Sequence, residues 1–249
     1  LTIQPAPETH GLVFERVDLP GHPKVPVSIE SLSHTDRATL LEFDGIRIRT
    51  PEHILSALSG LGVTNALLSV NAEEVPILDG SSLPFVTAII EAGIEQQSGS
   101  INPIKVMERI SLSDGDKSIT IDPADHFSIT YSLDYPDSFV GAQSVTEDIS
   151  PVTYKKRIAP ARTFGFKHEV EALLASGLAL GGSMDNALVI GESDYLSPLR
   201  LPDECARHKI LDIIGDLAVC GRPILGRIRA AKSGHAMNAQ LARELDRLS

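Results

Sequence analysis

Between Arg207 and Leu217, three groups that can carry charge recur every fourth residue inside a largely apolar run: His208, Asp212 and Asp216. Positions four apart stack on one face of an α-helix. Ile210, Leu211, Ile213, Ile214 and Leu217 crowd the flanks of that stripe. The spacing predicts a helix over 203–219 that points both aspartates into the protein, where an unpaired carboxylate costs several kcal/mol. Something cationic must meet them. A metal ion at His208 and Asp212, with a charged or hydrogen-bonding partner for Asp216, satisfies that demand; a helix salt bridge between His208 and Asp212 is the plainer alternative.

The chain has 249 residues, 42% of them hydrophobic, enough to build proper cores in one large domain or two small ones. Its 22 basic and 33 acidic residues give a formal charge of -11, which argues against nucleic acid or an anionic membrane surface as the main partner. Locally clustered lysines would still accept a small anion. Cys205 and Cys220 fall at the two ends of the same predicted helix, so they are not expected to bridge each other, and a reducing, cytoplasmic setting fits. No apolar stretch approaches the roughly 20 residues of a spanning helix. The first residue is Leu1, so a processed or truncated start would hide a targeting signal.

The first half alternates strand-like runs with turns: 12–19, 25–29, then 38–43 and 46–49 joined through Asp44-Gly45, a hairpin signal. A helix follows from Pro51, with Thr50 as its cap and Gly60 and Gly62 as its stop. A strand over 65–70 and a helix over 82–92 complete this half, and 96–100 is polar and small enough for a linker. Strands are then expected over 104–110, 118–121, 128–133 and 224–230, with Asp114-Gly115-Asp116 as a turn. Helices are expected over 151–158, 168–176 with Gly177 as stop, 203–219 and 236–248. Asn65-Ala66-Leu67 and Asn186-Ala187-Leu188 hint at duplicated architecture. The fold class is α+β in two similar layers.

Further residues suit chemistry. Glu52-His53 opens a helix, so His53, His208 and Asp212 would make the three-ligand open set of a catalytic zinc, with Glu52 as the neighbouring base. An acidic residue in a first helical turn is equally explained by the macrodipole. His235, at the entry of the last helix, would act as a general acid if Asp216 orients it, or would simply cap that helix. Thr163 offers a hydroxyl for a developing oxyanion, or is merely a turn threonine between core aromatics. The segments 76–82 and 177–186 are rich in glycine, but neither has the spacing of a phosphate loop.

Taken in order, Thr50-Pro51-Glu52-His53, 76–82, Ala161-Arg162-Thr163-Phe164-Gly165-Phe166, Gly181-Gly182-Ser183-Met184-Asp185-Asn186-Ala187, 207–217 and Lys232-Ser233-Gly234-His235-Ala236 resemble one family over nearly the whole chain. It is the zinc-dependent UDP-3-O-acyl-N-acetylglucosamine deacetylase family of lipid A synthesis. The resemblance implies that His53, His208 and Asp212 hold zinc, or iron in the cell, and that Glu52 activates the attacking water. It further implies that Thr163 stabilises the oxyanion and that His235, held by Asp216, protonates the departing nitrogen. Lys209 and Lys232 would contact the diphosphate, and Phe164 and Phe166 the sugar and uridine. The segment 166–182 matches an acyl-chain insert.

The implied fold is two α+β domains, 1–98 and 102–249, with helices sandwiched between two sheets and the active site at their junction. The implied partner is a UDP-linked acylated glucosamine, and a monomer is expected. The family carries a further strand and a histidine-bearing turn ahead of the segment matching Leu1. Glu169 stands where an aspartate is usual, and Lys167-His168 replaces a different pair, which touches the acyl-chain lid. A zinc amidohydrolase for another N-acetyl sugar, and a truncated paralogue that only binds, are the competing readings.

Overall fold

The computed structural model describes residues 1–33, 38–169 and 186–248. The first half builds a four-stranded sheet from β1 (Thr2–Pro5), β2 (Leu12–Arg16), β3 (Lys24–Pro26) and β6 (Ala66–Val70), in the order β1-β6-β2-β3. Phe14 and Leu68 alternate inward from β2 and β6 and are fully buried, as a sheet covered on one face requires. A separate hairpin, β4 (Leu40–Phe43) and β5 (Ile46–Arg49), turns through Asp44 and Gly45, both with positive φ, the turn geometry that matches strand twist. Helices α1 (Glu52–Leu61) and α2 (Leu83–Ala92) belong to this half.

The second half carries the larger sheet: β7 (Ile104–Lys105), β8 (Ile110–Asp114), β9 (Lys117–Asp122), β10 (Phe127–Tyr135), β11 (Gly141–Asp148) and β14 (Ile224–Ala231). Its order is β11-β10-β14-β9-β8, with β7 also paired to β14. In β14, Ile224, Ile228 and Ala230 are buried while Arg227 and Arg229 face water. A short helix α3 (Pro151–Thr153) runs into a π turn over Tyr154–Ile158. Strands β12 (Phe164–Phe166) and β13 (Leu188–Ile190) pair in parallel. Helix α4 (Glu204–Asp216) continues as a 3-10 turn over Leu217–Cys220, and α5 (His235–Asp246) closes the chain. The fold is mixed α+β.

Helices α1 and α4 pack directly against each other at the centre of one continuous apolar core. Helix α4 is buried on all sides, from Glu204 to Asp216, with Lys209 as its least covered residue. Among the described residues, no helix is long and apolar enough to cross a membrane. Cys205 and Cys220 are both free and buried.

Several expectations change. Thr50 does not cap α1: it adopts a positive φ of 56°, its hydroxyl donates to Glu74, and Pro51 takes the N-cap position. Gly60 does not stop α1 either, because it lies within the helix, where the Tyr154 ring occupies the space a side chain would need. Gly62, left-handed at φ 76°, ends it. The expected strand 104–110 is two strands, β7 and β8, and the expected helix 151–158 is mostly π turn. Strand β11 was not expected at all: in Gly-Ala-Gln-Ser-Val-Thr-Glu-Asp only Val145 and Glu147 are buried, so its alternation is nearly all polar. The two Asn-Ala-Leu segments lead into unlike settings, β6 inside the four-stranded sheet and β13 in a two-stranded pair. Most of the expected helix 168–176, its stop at Gly177 and the Gly181–Ser183 segment lie outside the described residues.

Candidate metal centre and the residues around it

The first turn of α1 supplies Glu52 and His53; the middle of α4 supplies His208 and Asp212. One ligand atom from each of His53, His208 and Asp212 falls within 4.8 Å of the others, and all three side chains are buried. His208 Nε2 is 3.3 Å from Asp212 Oδ1, and the two imidazoles meet edge to face at 5.1 Å. The tautomer of His208 is set from behind. Its Nδ1–H donates to the Ala161 carbonyl at 3.1 Å, which leaves Nε2 as a lone-pair donor toward the site.

Two observations fit a divalent cation here. Nδ1 of His53 is buried without a hydrogen-bond partner among the described residues, a costly state that a ligand would relieve. The donor set of two imidazoles and one carboxylate also leaves a tetrahedral ion one open position. Burial, and then the neighbouring His208, push the His53 imidazole down to about 3, so it is neutral and able to donate its lone pair. His208 is likewise lowered by burial, although Asp212 opposes this. Burial opposes ionisation of Asp212, but His208 and Lys209 outweigh it and hold the carboxyl well below the usual range. Lys209 Nζ donates to Asp212 Oδ2 at 2.8 Å.

Glu52 is nine-tenths buried or more, and burial above all raises its carboxyl to about 7, with Asp216 and Asp212 adding to the rise and His235 opposing it. Across the site, His235 Nδ1 donates to Asp216, 2.9 Å from Oδ2 and 3.1 Å from Oδ1. Burial alone would discourage its charge, but Asp216 outweighs burial and lifts the imidazole to about 10. Asp216 takes two further bonds, from Thr39 Oγ1 at 2.6 Å and from Asn238 Nδ2 at 2.8 Å. A buried carboxylate with this many donors is fully satisfied.

A family model described as UDP-3-O-acyl N-acetylglycosamine deacetylase matches residues 1–247. The UDP-3-O-acyl-N-acetylglucosamine deacetylase of Myxococcus xanthus (strain DK1622) is 42% identical over 247 residues, which is 98% of this chain and 79% of that protein. The chain belongs to this deacetylase family.

The remaining residues that the deacetylase resemblance singles out lie at varied distances from the centre. Thr163 is pinned through its backbone: its N–H donates to Gly80 and its carbonyl accepts from Leu188. It directly precedes Phe164, whose ring lies 6.3 Å from that of His208 and under Lys209 Nζ at 5.6 Å. Phe166 sits one step outward against Tyr135, ring centroids 5.1 Å apart, and beside it opens a cavity of about 670 Å³ that Ser138, His168 and Gly191 also line. Lys232 is more remote and holds Asp116 of the β8–β9 turn at 2.8 Å. Neither lysine is therefore a free cation.

Residues that the sequence did not single out support this candidate centre. Thr39 and Asn238 brace Asp216. Ser82 donates to the His53 carbonyl at 2.7 Å, which ties the start of α2 to the first turn of α1. Fully buried Glu204 accepts from both the backbone and the guanidinium of Arg162, and so fixes the 161–163 segment that carries the His208 acceptor and Thr163. Only Glu204 left a trace in the sequence, an acidic residue in the first turn of a helix, and that trace has a commoner explanation.

Proposed function

We propose that the protein is a zinc-dependent deacetylase that hydrolyses the acetamide of UDP-3-O-(3-hydroxyacyl)-N-acetylglucosamine, releasing acetate and a free amine, in lipid A biosynthesis. The observation that carries this reading is the convergence of His53, His208 and Asp212 from helices some 150 positions apart, with Glu52 and His235 beside them. Family membership and the name of the Myxococcus relative support the substrate. The same reading has the chain as two units, 1–98 and 102–249, working in the cytoplasm as a monomer.

Held by His53, His208 and Asp212, the cation supplies Lewis-acid polarisation of the amide carbonyl and lowers the pKa of a water toward about 7. Glu52, with its carboxyl near 7, takes the proton that the attacking water releases. Thr163 donates its hydroxyl to the oxyanion as the carbonyl carbon becomes tetrahedral. His235, kept charged by Asp216, hands a proton to the glucosamine nitrogen as the C–N bond breaks, so an amine rather than an amide anion departs. Phe164 and Phe166 offer ring faces to the sugar and uridine, and Lys209 and Lys232 exchange part of their carboxylate pairing for the diphosphate.

The test is metal stoichiometry in freshly purified protein, together with acetate release from the UDP-sugar. One equivalent of zinc and stoichiometric acetate are expected. Metal without turnover on this substrate favours an amidohydrolase for another N-acetyl sugar, and no metal favours a binding paralogue; either result overturns the proposal.

A further inference from the structure

Thr39, just ahead of β4, is 1% exposed and makes three separate bonds, each to a different part of the centre. Its carbonyl accepts from the Thr50 N–H, at the entry to α1, at 3.0 Å. Its own N–H donates to Glu52 Oε2 at 3.3 Å. Its hydroxyl donates to Asp216 Oδ1, on α4, at 2.6 Å. The hairpin that begins here belongs to neither large sheet, and these bonds link its start to both helices that carry the site.

From this geometry we infer that Thr39 is a positioning residue, fixing the carboxylate of Glu52 and the Asp216–His235 pair in one relation. This rests on the deacetylase reading of Glu52 as base and His235 as acid. Asp216 can rotate about its Cβ–Cγ bond unless both oxygens are held. Asn238 holds Oδ2 and Thr39 holds Oδ1, and His235 Nδ1 lies against both oxygens. Without the threonine hydroxyl, Oδ1 is left with the longer His235 contact alone, and the buried carboxylate turns to recover a donor. The imidazole turns with it. Thr39 itself is buried away from solvent, so the damage falls on proton transfer and spares binding.

Thr39→Val keeps the shape and removes the hydroxyl; Thr39→Ser keeps the hydroxyl and removes a methyl. Thr39→Val is expected to bind one equivalent of zinc and keep its KM, while kcat falls roughly tenfold or more, since small misplacements of a catalytic group cost that much. Thr39→Ser should recover kcat to within about threefold of the parent. Nitrogen and proton NMR of the metal-loaded protein reads the His235 Nδ1–H directly, and that signal should shift or broaden in Thr39→Val and return in Thr39→Ser. An unmoved His235 signal in Thr39→Val, or a Thr39→Ser protein as slow as Thr39→Val, overturns the inference. Thr39→Ala takes the place of Thr39→Val if the valine does not fold. The NMR comparison needs no turnover, whereas failure of the deacetylase reading shows in the unmodified protein as absent acetate release, so the two failures are distinct.

Discussion

The backbone carbonyl of Glu52 stands where a side chain at Gly215 would begin. Helices α1 and α4 therefore touch backbone to backbone at the point where one carries the candidate base and the other is about to end in Asp216.

Gly215→Ala sets two effects against each other. Alanine is favoured over glycine inside a helix by about 1 kcal/mol. The new methyl meets backbone, which cannot swing aside as a flexible side chain would, and overpacking of this kind costs about 1–3 kcal/mol or more. The expected result is a net loss of about 2 kcal/mol, read as a lower urea midpoint with an unchanged slope, together with weaker zinc binding. A midpoint equal to that of the parent would show that the helices can part freely.

His208→Ala removes one of the three proposed ligands, and the zinc content of the purified protein should fall from one equivalent to near none. Glu52→Ala leaves all three ligands in place, so metal should stay while kcat drops by about 10²–10⁴, the usual share of a general base. Atomic absorption and an acetate assay separate the two. Near-normal turnover in Glu52→Ala removes Glu52 from its assigned role.

His235 ties stability to pH. Its pKa of about 10 in the fold stands above the ordinary 6.5. The charged ring therefore stabilises the fold fully below pH 6.5, and that contribution fades as pH rises toward 10. Unfolding free energy from urea titrations should decline between about pH 6.5 and 9. His235→Gln should flatten this decline, and a slope equal to the parent's would assign it to other groups.

Arg162 and Glu204 form a buried ion pair at 2.8 Å that anchors the 161–163 segment behind His208. Removing one member of such a pair leaves the other charge stranded, at about 3–5 kcal/mol. Glu204→Ala should lose stability on that scale. It should also weaken zinc binding by about 10–100-fold, because the Ala161 carbonyl no longer orients the imidazole. Calorimetric zinc titration of refolded protein checks the second effect, which a purely structural role would leave unchanged.

Much of the secondary structure could be read from the chain itself, because hydrophobic period and turn chemistry act locally. The Asp44-Gly45 hairpin, α1, α2, α4, α5 and β14 all follow from them, with ends misplaced by a few residues. Strand β11 escaped because an edge strand solvated on one face carries little apolar signal, and its register is supplied by β10. Gly60 read as a helix stop because nothing local announces that Tyr154, nearly a hundred positions on, fills the space beside it.

The same division holds at the site. The four-residue spacing of His208, Asp212 and Asp216 determined that one helix would bury two carboxylates in need of cations, because helical geometry fixes which side chains share a face. It could not say where those partners came from. Tertiary packing brought in His53 from α1, His235 from α5 and Thr39 from just ahead of β4, residues with no sequence relation to that stripe. Contacts across such separations depend on the closure of the whole core, and no local pattern of residues encodes the distance between two helices.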